Sequence, residues 1–192
     1  MMAATRLELP LDDARVRALR AGDFVQLCGS LFTARDAVHE CLAGGGAPPC
    51  DLHGAAVYHC GPVIVETASG WRVTAAGPTT SSREEPFMAA LIERFGLRVI
   101  VGKGGMGPGT MAACQQHGCV YCQAVGGAAQ VLAAAVQEVV AVHWRERFGS
   151  PEAIWELRVR DFPAIVTMDS HGKSLHADVL AASRQRLDTL DG

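Results

Sequence analysis

Apolar residues gather into short runs along this chain, and the runs change character about half-way. Phe24 to Phe32 is apolar and rich in strand-forming residues, and Ala34 to Leu42 spaces its apolar side chains as a helix does. A shorter helix is predicted over residues 11–20, where Asp12 and Asp13 precede an alternation of Val, Leu and Arg. The Gly44–Pro49 segment reads as a loop. Closely spaced runs at Ala55–His59, Val63–Thr67 and Trp71–Thr74 then predict strands in antiparallel or mixed pairing.

The second half alternates. Pro86 suits the first turn of a helix reaching Phe95, and a strand is predicted over Arg98–Val101. A glycine-rich turn leads into a helix over Met106–Gln116, followed by a strand at Val120–Val125. An alanine-rich helix over residues 128–137 and a strand at Val139–His143 continue the pattern. Strands near Ile154–Val159 and Ala164–Met168 precede a final helix, residues 175–190. Strands first and strand–helix alternation afterwards predict a layered α/β domain with a mixed sheet.

Composition adds limits to this picture. With 49% hydrophobic and 19% charged residues, a chain of 192 residues can bury a sizeable core, and a single domain over residues 1–192 is expected. The formal net charge is −3 and no Lys/Arg-rich stripe occurs, so a nucleic-acid partner is not expected. An anion would have to be held by a few local cations, which points to a small molecule. The apolar stretch Val125–Val142 is interrupted by Gln130, Gln137 and Glu138, and reads as a buried helix and strand rather than a membrane span. The first residues lack the apolar core of a signal peptide, and seven scattered cysteines suit reduced thiols in a cytoplasm.

Three strand-to-helix junctions each present one cation. Lys103 sits in Val101-Gly102-Lys103-Gly104-Gly105-Met106, where glycines admit a close ligand and the following helix offers N–H groups to an anion. A phosphate-binding P-loop needs four residues between its glycines and Ser or Thr after the Lys, and neither is present. Gly77-Pro78-Thr79-Thr80-Ser81-Ser82-Arg83 sets four hydroxyls before an arginine, either an anion nest with a forked clamp or a set of helix caps. In Gly29–Asp36, Arg35 is placed to bind a carboxylate, and Asp36 to orient a cation or cap the helix. Arg35, Arg83 and Lys103 together would match a ligand with two carboxylates. His39, His53 and His59 have no ligand partner at metal-site spacing and are expected in core or surface roles. Cys119 and Cys122, with His117 nearby, raise a zinc or redox reading, but side chains three apart on a strand face opposite ways, so buried structural thiols are expected.

Ordered stretches along nearly the whole chain resemble the C-terminal region of class I fumarases and the beta subunit of L-tartrate dehydratase. They are Gly22-Asp23 through Thr33-Ala34-Arg35-Asp36-Ala37-Val38-His39, then Tyr58-His59-Cys60-Gly61-Pro62 and Gly77–Arg83. Val101–Gly104, His117–Tyr121, Ala124–Ala129, Pro151–Trp155 and Asp161–Val166 continue the match. The resemblance implies a swivelling three-layer β/β/α domain and reversible addition of water to an unsaturated dicarboxylate. It also implies a [4Fe–4S] cluster held by a partner alpha subunit, with one open iron acting as Lewis acid on the departing hydroxyl. By motif position, Arg35, Arg83 and Lys103 would grip carboxylates with Thr80, and Thr79 would be the base at the reacting carbon. Thr79 would then need a carboxylate, implied to come from the alpha chain, to take its proton. A heterotetramer of two alpha and two beta chains is the implied assembly. A non-catalytic carboxylate-binding or scaffold module is the alternative. One departure stands out: the family continues from the arginine with Met-Asp, whereas Glu84-Glu85 follow Arg83 here.

Overall fold

The computed structural model describes residues 4–68 and 70–189; the first three positions and the predicted helix end at residue 190 lie outside them. Strand β1 (Thr5–Glu8) buries Leu7 between exposed Arg6 and Glu8 and leads to helix α1 (Asp13–Ala18), capped by Asp12. Strand β2 (Phe24–Ala34), helix α2 (Asp36–Ala43) and strands β3 (Ala56–His59), β4 (Val63–Thr67) and β5 (Gly70–Ala75) follow. A single 3-10 turn at Ser81–Glu84 opens α3 (Glu85–Phe95), which has Pro86 in its first turn and a left-handed Gly96 at its end. Next come β6 (Val99–Gly102), α4 (Pro108–His117), β7 (Val120–Gln123), α5 (Ala129–Ala134) and β8 (Val136–His143). Helix α6 (Arg145–Phe148), strand β9 (Ile154–Met168) and helix α7 (Leu175–Asp188) complete the order.

Strands β1, β2, β3, β6 and β7 are parallel neighbours in that sequence. Strand β9 runs antiparallel to β7 on one side and to β2 on the other. The pairing of β2, β3, β6, β7 and β9 therefore closes on itself as a ring. On the edge of β9 away from β2, residues 154–159 pair with β8 and residues 165–168 with β7, and β4–β5 form a separate antiparallel hairpin.

The interior strands are buried on both faces. In β6, Val99 and Val101 join a core that includes α5 and the β4–β5 hairpin, while Ile100 joins one that includes α2, α3 and α4. Burying each such side chain contributes about 1.5–3 kcal/mol. Hairpin, sheet and helices thus stack as β/β/α layers, the mixed α/β architecture that the chain's pattern predicts. Cys119 and Cys122 belong to opposite cores, as strand alternation requires. No helix among the described residues is long and apolar enough to cross a membrane.

Two expectations change. The predicted strands at 154–159 and 164–168 are one continuous β9. Asp161 takes a left-handed φ of 53° and its N–H donates to Cys28 Sγ at 3.3 Å, opposite a register shift between Leu27 and Gly29. The local break is absorbed as a bulge, because pairing with β2 continues on both sides of it. The alanine-rich helix stops at Ala134 instead of 137, since Val136 pairs with Val159 in the sheet. Tertiary pairing overrides helix propensity there.

Candidate active site

Because β2, β3, β6 and β7 are parallel, their C-terminal ends share one edge, the usual ligand edge of an α/β sheet. Arg35 follows β2, Cys60 and Gly61 follow β3, Lys103 follows β6, and Ala124–Gly127 follow β7. The segment Gly77–Arg83 stitches these ends together. Thr79 donates to the His59 carbonyl twice, from N–H at 2.7 Å and from Oγ1 at 3.0 Å. Thr80 forms a parallel bridge with Lys103, and Ser81 N–H donates to the Lys103 carbonyl at 2.9 Å.

Each of the three cations has a distinct setting. Arg35 Nε lies 3.3 Å from Glu152 Oε1, and its side chain lies so close to Gly61 that a Cβ there would stand 3.0 Å from Nη1. The other Glu152 oxygen accepts Ala37 N–H at 3.0 Å, so Glu152 caps α2 and Asp36 does not. Asp36 instead forms an ion pair with the largely exposed Arg83 guanidinium. The Lys103 ammonium has no ion pair or hydrogen bond among the described residues, and its stem runs beside Gly126. The structure thus brings Thr79, Thr80 and Lys103 together, and ties Arg83 to the residue next to Arg35.

The hydroxyl-rich segment does not cap its helix, since neither the 3-10 turn nor α3 has a side-chain cap. Nor is the N-terminus of α4 open to an anion, as the glycine pattern suggests. Glu85 occupies it, accepting from Gly107, Gly109 and Thr110 N–H and from Thr110 Oγ1 at 2.6–3.1 Å. The free donors and the helix dipole are already satisfied by this chain's own carboxylate.

Behind the segment lies a buried polar group that sequence spacing does not reveal. His39 Nδ1 is 2.7 Å from Glu84 Oε2, and both side chains are buried. The His39 and His59 rings meet edge to face at 5.0 Å. His59 Nδ1 lies 2.9 Å from Ser81 Oγ, which also accepts from Tyr121 Oη at 2.9 Å. The only sequence signal was Glu84 itself, the departure after Arg83. Burial pushes the Glu84 carboxyl above its ordinary value, with His39 pulling it back and Asp36 pushing it further up. Burial, reinforced by the nearby His39, pulls His59 well below the usual histidine value.

Two outcomes follow from this packing. A Cβ on Gly102 would fall on Ser81 Oγ and within 3.3 Å of both Tyr121 Oη and His59 Nδ1. Gly102→Ala is therefore expected to destabilise the chain by about 1–3 kcal/mol, read as a lower urea midpoint; an unchanged midpoint contradicts the crowding. His59 stays neutral in the folded chain while its unfolded counterpart titrates near 6.5. The unfolded state then binds more protons, so stability is full above that value and falls as pH drops below it, by up to about 1.4 kcal/mol per unit. His59→Asn should flatten that slope in equilibrium unfolding; an equal slope in parent and variant assigns the effect to other groups.

The family described as Fumarase C-terminus matches residues 2–179. This chain belongs to that family. Among fumarase C-terminus relatives, it is 38% identical over 186 residues to a protein of Escherichia coli (strain K12) named L(+)-tartrate dehydratase subunit beta, covering 96% of this chain and 92% of that one. It is 49% identical over 182 residues to a Geobacillus stearothermophilus protein named for class I fumarate hydratase. That match takes in 94% of this chain but 35% of the relative, so the chain spans about a third of that longer protein. A Methanocaldococcus jannaschii protein, also named for the tartrate dehydratase beta subunit, is 38% identical over 182 residues, 93% of its length.

The cysteines of this fumarase C-terminus chain do not fit an iron–sulfur cluster. A cluster needs convergent thiolates. Burial pushes Cys60 and Cys122 up to about 12 and Cys119 well above the ordinary thiol value, and Cys119 and Cys122 face opposite cores. Among the described residues no three His, Cys, Asp or Glu side chains are grouped to hold a metal.

Proposed function

We propose that this chain is the beta subunit of an iron–sulfur hydro-lyase that reversibly hydrates a small dicarboxylate of the fumarate/malate or tartrate/oxaloacetate type. Its partner is an alpha subunit carrying the [4Fe–4S] cluster, in a cytoplasmic heterotetramer of two alpha and two beta chains. The observation that carries this reading is the gathering of Thr79, Thr80 and Lys103 at one sheet edge, beside the Asp36–Arg83 pair that adjoins Arg35. The full-length match to proteins named for the tartrate dehydratase beta subunit supports it.

In this reading Arg35 and Arg83 present forked donors to the two carboxylates. Asp36 and Glu152 hold those guanidinium groups in place until substrate arrives. Lys103, the cation with no partner among the described residues, meets the charge that develops on a carboxylate when a proton leaves the adjacent carbon. Thr79 handles that proton. Its hydroxyl hydrogen rests on the His59 carbonyl, which has no useful basicity, so a carboxylate of the alpha subunit must take it before Thr79 Oγ1 acts as a base. The cluster belongs to the alpha subunit.

Co-expression with a cluster-bearing alpha chain, followed by a dicarboxylate panel, tests the proposal. Activity should appear only in the assembled complex and should be lost on exposure to oxygen. Turnover by this chain alone, or carboxylate binding that needs no partner and leads to no turnover with one, would overturn it. The latter result would mark a non-catalytic carboxylate-binding module.

A further inference from the structure

Lys103 and Thr79 come from different parts of the chain, yet they must be registered against the same small ligand. Lys103 sits on a glycine-rich turn, between Gly102 and Gly104-Gly105, the last two with positive φ of 83° and 81°. A backbone of that kind has little conformational preference of its own. Something else must fix it.

The buried hydroxyls meet at that point. Tyr121 Oη accepts the Gly105 N–H at 3.3 Å and donates to Ser81 Oγ at 2.9 Å. Ser81 Oγ in turn lies 2.9 Å from His59 Nδ1. Ser81 N–H holds the Lys103 carbonyl at 2.9 Å, and the His59 carbonyl holds both Thr79 donors. Lys103 is therefore gripped on its own carbonyl by Ser81 and two residues on, at Gly105, by Tyr121. Thr79 is gripped through His59. Ser81 and His59 make these grips with their backbone and Tyr121 with its hydroxyl, and the three side chains that fix those backbones meet over Gly102, where any Cβ would displace them.

With Tyr121 donating to Ser81, the Ser81 hydroxyl hydrogen is free to reach His59 Nδ1, and the tautomer that accepts it carries its proton on Nε2. His59 Nε2 and His39 Nε2 are buried without a hydrogen-bond partner among the described residues.

We propose that Ser81, with Tyr121 and His59, is a positioning node that sets Lys103 and Thr79 in register for one substrate. None of the three touches the substrate in this arrangement; they act through the two residues that do. The inference rests on the reading of Thr79 and Lys103 as substrate residues, but the node itself has a readout independent of activity.

The test uses Ser81→Ala and Tyr121→Phe in the full chain, alone and assembled with the alpha subunit. Amide hydrogen exchange is followed by mass spectrometry in peptides covering residues 77–84 and 103–106. Both variants should exchange roughly tenfold faster there and nowhere else, with the thermal midpoint nearly unchanged. In the assembled enzyme kcat should fall roughly tenfold to a hundredfold, more than KM rises, because small misplacements cost that much. His59→Asn keeps an acceptor at the Nδ1 position and should retain most of kcat, whereas His59→Leu should behave as Ser81→Ala. Unchanged exchange in those peptides overturns the node, whatever happens to turnover. Faster exchange with undiminished turnover upholds the node and overturns the roles given to Thr79 and Lys103. If Ser81→Ala does not fold, Tyr121→Phe carries the same comparison, since it removes the donor and keeps the ring.

Discussion

If this chain works as the proposed beta subunit, Thr79→Val in the complex with its alpha subunit is expected to lower kcat by about a hundredfold to ten-thousandfold, the range that a positioned proton-transfer group supplies. The substitution suits the question because it changes little else. Valine matches the shape of threonine, and the Thr79 N–H keeps its 2.7 Å bond to the His59 carbonyl when the 3.0 Å hydroxyl bond is lost. That lost bond is worth about 0.5–1.5 kcal/mol, so the chain should still fold and still pair with its partner. Thr79→Ser restores the oxygen and should recover much of the rate. The measurement is steady-state dehydration, followed by absorbance of the unsaturated product. A valine variant within tenfold of the parent would remove Thr79 from the chemistry.

Removing the Lys103 charge should have a comparable effect on specificity for the substrate. Lys103→Met keeps the aliphatic stem beside Gly126, and the backbone carbonyl that accepts Ser81 N–H is untouched. Only the ammonium is lost. Deleting one member of a desolvated charge pair costs about 2–5 kcal/mol, which converts to roughly 30-fold to several-thousand-fold in kcat/KM. Arg35 and Arg83 differ in this respect, because each already has a carboxylate partner in the chain. Their removal also frees Glu152 or Asp36 and confounds the comparison. A Lys103→Met enzyme with kcat/KM within threefold of the parent would show that no carboxylate rests there.

Much of the layered fold was legible because the interior strands carry apolar residues on both faces. Val99-Ile100-Val101 and Val120-Tyr121-Cys122 read as buried strands from their side chains alone, and both are. Elements whose existence depends on distant partners were harder. Asp161 and Pro163 announce a break, and only the pairing with β2 shows that the strand runs through it. Strand β1, four residues with one buried side chain, is too short to stand out from its surroundings. Within the site, the cations and hydroxyls announced themselves because glycines and strand ends flank them. The histidines did not, since the carboxylate beside His39 lies 45 positions away and no spacing rule links them. Glu85 shows the converse: the α4 N-terminus was read as open to ligand because the side chain that fills it comes from 22 residues upstream.

The ring closure made by β9 also governs how the protein can be made. Residues Phe24 to Phe32 find their antiparallel partners only in residues 156–165, so one flank of β2 stays bare until more than a hundred further residues have been synthesised. Pairings of such long sequence separation form slowly, and an unpaired strand flank invites association with other nascent chains. A truncation before residue 154 would take away the strand that closes the ring rather than a dispensable tail. The segment exposed in the meantime is therefore defined, and so is the event that covers it, the arrival of β9.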